Sequence, residues 1–102
     1  MAVTVTTGVT DLFFEANGGD VNNIILIFAD TTSGPATATI QSADIVDDTL
    51  FIIKDEFGNA STNNITIDTQ GSETIDGVSS VDIQVNYGVV RLMARSGNLL
   101  SW

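Results

Sequence analysis

Val81-Asp82-Ile83-Gln84-Val85-Asn86-Tyr87-Gly88-Val89-Val90-Arg91-Leu92-Met93-Ala94 is the stretch on which the fold class turns. Val81, Ile83 and Val85 alternate with Asp82, Gln84 and Asn86, so an extended chain would place three aliphatic side chains on its inner face. Asn86-Tyr87-Gly88 is a tight connection. Beyond it, Val90, Leu92 and Ala94 alternate with Val89, Arg91 and Met93. A period of two on both sides of a turn predicts β-strands and excludes an amphipathic helix, whose apolar positions recur every three to four residues.

The same grammar extends in both directions. Asn64 to Asp68 alternates, with Ile65 and Ile67 on one face, and Leu50-Phe51-Ile52-Ile53-Lys54 reads as a core strand. Asp55-Glu56-Phe57-Gly58-Asn59 is a turn, as are Gln70-Gly71-Ser72 and Ser96-Gly97-Asn98. Thr74-Ile75-Asp76-Gly77 is a short extended piece ending in a turn, and Leu99-Leu100-Ser101-Trp102 follows the last one. Upstream, Ile24-Ile25-Leu26-Ile27-Phe28-Ala29 is a continuous apolar run of strand length. It is expected to be buried on both faces, or on one face with a partner chain covering the other. Thr31-Thr32-Ser33-Gly34-Pro35 then leads into the alternating Ala36 to Ser42, and the pair reads as a hairpin. Val9 to Glu15 and residues 2–7 supply two further strands. About seven to nine strands spaced by about 8–12 residues predict an all-β domain: a small antiparallel β-sandwich, barrel or prism.

Composition agrees. Val, Ile and Thr number 10, 11 and 13 of 102 residues, a β-branched excess that suits pleated sheets and not helices. One domain of roughly this length buries about 65% of its unfolded surface, a modest core that association with other chains would reinforce. Thirteen acidic residues against three basic ones give a net charge of −10, the wrong sign for a phosphate-binding surface. With no His and no Cys, the usual ligands of transition metals and the usual base and nucleophile of triad hydrolases are missing. The N-terminus lacks the charged and apolar regions of a secretory signal, and Ile24 to Ala29 is too short to span a bilayer. These readings point to a binding or structural protein that is no enzyme, with no cofactor, no nucleic acid and no membrane among its partners.

The second half carries a more specific pattern: Asp55-Glu56-Phe57-Gly58-Asn59-Ala60, then Asn63-Asn64-Ile65-Thr66-Ile67, Thr74-Ile75-Asp76-Gly77, Asn86-Tyr87-Gly88, Ser96-Gly97-Asn98 and Trp102. It resembles a β module of tailed-bacteriophage virion proteins, found in capsid decoration and cement proteins, head fibres and tail fibres. Residues 50–102 carry the likeness. The family commonly has proline where this chain has Asn64 and continues a few residues beyond the tryptophan. The resemblance implies a hairpin around Tyr87-Gly88, a homotrimer and a place in the virion. A short chain has room for one module, which favours a capsid decoration protein bound to the major capsid protein over a tail fibre or tailspike component. One domain over 1–102 is expected, with 1–43 as an N-terminal part that contacts the capsid or another partner and 44–102 as the virion module.

Seven residues are candidates for an interface: Phe13, Phe14, Phe28, Tyr87, Arg91, Arg95 and Trp102. Arg91 and Arg95 stand four apart, so they face the same way along one strand, and arginine and aromatic side chains are enriched where proteins meet. Ile25 and Ile27 are expected in the core. Asp47, Asp48, Asp55 and Glu56 are read as solvated turn carboxylates flanking a strand, not a cation site. Lys54 is expected to pair with an acid or to extend its amine to solvent at a strand end. A glycan-cleaving pair of carboxylates needs an aromatic cleft, and one Trp, one Tyr and five Phe leave little to build one.

Overall fold

A computed structural model describes Thr4–Val5, Val9–Glu15 and residues 23–102, with side chains described from Ile24 onward. The strands are β1 (Thr4–Val5), β2 (Val9–Glu15), β3 (Asn23–Ala29), β4 (Ala36–Ile40), β5 (Leu50–Asp55), β6 (Ile65–Thr69), β7 (Ser80–Ile83), β8 (Val89–Arg95) and β9 (Asn98–Ser101). The described residues contain no α-helix, only one 3-10 turn at Ser42–Asp44. Two sheets form, one ordered β1-β4-β6-β7 and the other β2-β3-β5-β8-β9. The fold is therefore all-β.

The alternation of the sequence is what makes two sheets pack. On β3, Ile25, Ile27 and Ala29 are buried while Ile24, Leu26 and Phe28 are only half-buried. Phe51 and Ile53 on β5, Leu92 and Ala94 on β8, and Leu99 on β9 join them from the larger sheet. Ala36, Ala38 and Ile40 on β4, Ile65 and Ile67 on β6, and Ile83 on β7 close the core from the smaller one. Ile75, in the loop before β7, is fully buried as well. The accessible surface, 5327 Å², is close to the roughly 5,500 Å² expected for a chain of this mass.

The pairing departs from the sequence expectation at two places. Five described ladders are antiparallel, but β3–β5 and β4–β6 are parallel. The segment 24–42 is not a hairpin: β3 lies in the five-stranded sheet and β4 in the four-stranded one. The chain crosses from sheet to sheet, then returns through β5 to lie beside β3, and crosses again to lay β6 beside β4. A strand that comes back after a round trip across the core runs in its original direction, so these neighbours are parallel. The turn at Tyr87-Gly88 is likewise a crossing, from β7 in one sheet to β8 in the other, and not a hairpin. β8–β9 is a true hairpin, closed by Ser96 at φ 53° and Gly97 at φ 83°, the two positive dihedrals of a type I′ turn. The ladders β3–β5 and β4–β6 join residues 24–40 to residues 50–69, so the two stretches share both sheets.

The edge of the larger sheet is covered locally. The Leu99 N–H donates to the Thr74 carbonyl at 2.9 Å and the Asp76 N–H to the Leu99 carbonyl at 2.9 Å. The Asp76 carboxylate then accepts the N–H of Ser101 at 3.0 Å and its hydroxyl. This lacing occupies backbone groups that an exposed edge would offer to another chain.

Candidate interaction surface

The two outer faces of the sandwich are chemically opposite. On the four-stranded sheet, Thr37 stands opposite Thr66 and Thr66 opposite Asp82, while Thr39 stands opposite Asp68 and Asp68 opposite Ser80. The Thr39 hydroxyl donates to Asp68 Oδ1 at 2.7 Å. This face is polar throughout its described strands.

Over β3, β5, β8 and β9, the outer face of the larger sheet is largely apolar. Burial alternates along β3, β5, β8 and β9, and register carries each outward residue to its neighbour. One row runs Ile24, Leu50, Met93, Leu100. The next runs Leu26, Ile52, Arg91, and the third Phe28, Lys54, Val89. Exposure rises away from β3: Phe28 is half-buried, whereas Val89 and Leu100 are 46% and 49% exposed. Two large aliphatic side chains are thus left about half exposed on the neighbouring strands β8 and β9.

All three cations of the chain are on this face. Lys54 and Arg91 sit in its rows, and Arg95 continues the outward positions of β8 past Met93. No outward position of β3, β5, β8 or β9 is acidic. Arg91 is held by its neighbour: Nη2 and Nε donate to the Trp102 main-chain oxygen at 2.9 and 3.3 Å, and the guanidinium lies 5.5 Å from the Trp102 ring centroid. That contact orients both side chains, and Trp102 remains 55% exposed. The two arginines, exposed on one side of β8, thus stand as the sequence spacing places them.

Phe28, Arg91, Arg95 and Trp102 are therefore brought to one face, while Phe13 and Phe14 pair through β2 with Ile25 and Ile24 and their side chains lie outside the described residues. Tyr87 is placed at the adjoining end, where Lys54 Nζ donates to its carbonyl oxygen and lies 5.9 Å from its ring centroid. Of the two expectations for Lys54, an acid partner or an amine extended at the strand end, the first does not hold: a carbonyl and a ring engage it, near the end of β5. Sequence reading missed Val89, Met93 and Leu100. Each sits at an outward position of a strand, and alternation alone cannot distinguish an exposed apolar face from one covered by another layer.

That end is built around a carboxylate which the sequence reading wrongly left in solvent. Asp55 is fully buried. Its Oδ1 accepts the Gly58 N–H at 3.2 Å, and its Oδ2 accepts those of Ala60 at 3.0 Å and Tyr87 at 2.8 Å. Burial pushes its pKa up, but the main-chain donors of Tyr87, Ala60, Asn59 and Gly58 outweigh this and hold the carboxyl below its ordinary 3.8. The last residue of β5 thereby fixes both the β5–β6 loop and the β7–β8 crossing. Tyr87 adopts φ 61°, unusual for a bulky residue, and its ring lies over Gly58, where an added Cβ would come within 2.5 Å of Tyr87 Cε2. Val85, expected to point inward, is 69% exposed because the strand ends at Ile83 and the chain turns away to make this crossing. Phe57, Val85 and Tyr87 are left exposed on the tip.

Among the described residues no group of three or more carboxylates comes together that could hold a metal ion, and no helix is long and apolar enough to cross a membrane. Comparison with known proteins finds no matching family model, no matching curated protein and no matching solved structure.

Proposed function

We propose that this chain is a structural binding module of a bacteriophage virion, a decoration or cement protein that attaches to the outside of the capsid lattice and adds contacts between its subunits. The observation that supports the reading is the apolar, cation-bearing outer face of the larger sheet beside a polar face on the other. A module so divided has one side for attachment and one side for water. The likeness of residues 50–102 to virion modules supplies the setting. Assembly as a homotrimer belongs to the same reading, since three linked copies multiply a modest single contact.

The exposed tip of Phe57, Val85 and Tyr87, held by the Asp55 carboxylate, favours the alternative of a tail-fibre, tailspike or head-fibre component that touches the host surface. Quantitative mass spectrometry on purified particles separates the two. Hundreds of copies per particle support decoration. A few copies, or a few tens, point to the tail or a vertex, and absence from the particle refutes both.

A further inference from the structure

We propose that the outer face of β3-β5-β8-β9 seats on a protein surface with an apolar centre bordered by carboxylates, which pair with Lys54, Arg91 and Arg95. The assignment rests on reading the chain as a virion module and names the chemistry of the shell surface that receives it.

Charge carries the choice of occupant. The chain as a whole is at −10, yet its three cations share one face and no carboxylate stands among the outward residues of these four strands. At the rim, Asp47 Oδ1 accepts the N–H of Ser96, next to Arg95, at 2.8 Å. The Arg91 guanidinium is bonded to a main-chain oxygen and an aromatic ring. The orientation of this side chain is therefore set before a partner arrives, which lowers the entropic cost of pairing it with a carboxylate.

A second copy of the same face is a poor occupant. It would bring two positively charged faces together, with no acid at the outward positions of β3, β5, β8 and β9 on either side, and such like-charge juxtaposition is unfavourable. Nucleic acid is worse, since three cations release counterions from at most about three phosphates while the rest of the chain repels the backbone. An anionic lipid surface meets the same repulsion. Four strands about 4.8 Å apart and about 20 Å long offer on the order of 500 Å² per copy once side-chain relief is included. Counting both partners, that is near the roughly 1,000 Å² at which a specific interface begins. A contact of this size gains its register from charge pairs more than from area.

The test uses capsids of the encoding phage that lack this protein, titrated with the purified full chain. Two face variants are compared with the wild type: Lys54→Glu with Arg91→Glu, and Arg95→Glu with Leu100→Glu. A control adds charge to the opposite face by one change, Thr37→Glu, which has Thr66 and not an acid directly opposite. Circular dichroism and the melting temperature verify that each variant folds, and the second pair leaves the Arg91–Trp102 contact in place. The expected result is wild-type and control binding of similar strength, with both face variants at least tenfold weaker, and wild-type binding that weakens as salt rises. Sedimentation should show one oligomeric state for all four proteins. Binding that is equal in face variants and control overturns the surface assignment while leaving the virion reading intact. Failure of the wild type to bind capsids overturns both. Loss of a wild-type oligomer in the face variants makes the occupant a second copy, and wild-type binding to phosphatidylglycerol vesicles makes it a lipid surface. Either result overturns the proposal.

Discussion

Replacing Asp55 with alanine would remove the acceptor of three main-chain N–H groups in one step. The Ala60 donor is buried, whereas those of Gly58 and Tyr87 are partly buried and recover some hydration. An orphaned buried donor costs about 1–3 kcal/mol, so the upper range applies to Ala60 and the lower range to the other two. Relief of the desolvated carboxylate offsets part of this, leaving a net loss of about 3–4 kcal/mol. Against a total stability of about 5–15 kcal/mol, that is a large fraction. Urea unfolding followed by circular dichroism would read it as a midpoint lowered by about 3 M, given a slope near 1 kcal/mol/M for a chain of this size. Asp55→Asn keeps the shape but loses the charge and turns an amide against an N–H, so it should fall between alanine and wild type. The acid limb supplies a second check. The folded-state pKa of Asp55 is lowered, so its contribution is complete above the unfolded value of 3.8 and disappears as pH falls through the folded value. The gap between wild type and Asp55→Asn should therefore close below pH 3.8. A gap of under about 0.5 kcal/mol at neutral pH, or one that persists unchanged into strong acid, would refute the hub role assigned to this carboxylate.

Other substitutions test other contacts. Gly58→Ala combines a positive φ of 78° with a Cβ set into the Tyr87 ring, and should destabilise by about 1–3 kcal/mol in the same urea assay, with Tyr87→Ala in the background recovering the steric part only. Thr31 is fully buried and its hydroxyl has no hydrogen-bond partner among the described residues, so Thr31→Val should be neutral or stabilising by up to about 1 kcal/mol; a loss above that would reveal a bound water or other partner. Asp30, Glu73 and Asp76 have pKa values lowered chiefly by hydroxyls of Thr32, Ser42 and Ser101, so with Asp55 they should make the melting temperature fall as pH drops below about 4. Asp76→Asn should remove part of that acid limb and loosen the end of β9, seen as faster amide exchange at Ser101.

The all-β fold and most of its strands were legible in the sequence because a period of two is a local property. Ile65 and Ile67, Leu92 and Ala94 each announce a buried side without reference to any partner. The face shared by Arg91 and Arg95 was legible for the same reason. Turn chemistry was also local where one residue pair sets both dihedrals, as at Ser96-Gly97.

Strand partners were not legible, because alternation states that a strand has an inside but not which sheet it enters. The stretches 24–42 and 81–94 look like hairpins and are crossings, and the two parallel ladders follow from the round trips of β3 to β5 and β4 to β6. Asp55 follows the same rule at the level of one side chain. In sequence it is one acid in an acidic turn; in the fold it is the point where two distant loops find their hydrogen-bond acceptor, since Tyr87 lies 32 residues away. The apolar face required both kinds of information. Local alternation marked the outward side of β8, the apolar runs of β3 and β5 took their sides from packing, and only the registers of β3, β5, β8 and β9 set Lys54, Arg91 and Arg95 around a shared hydrophobic surface.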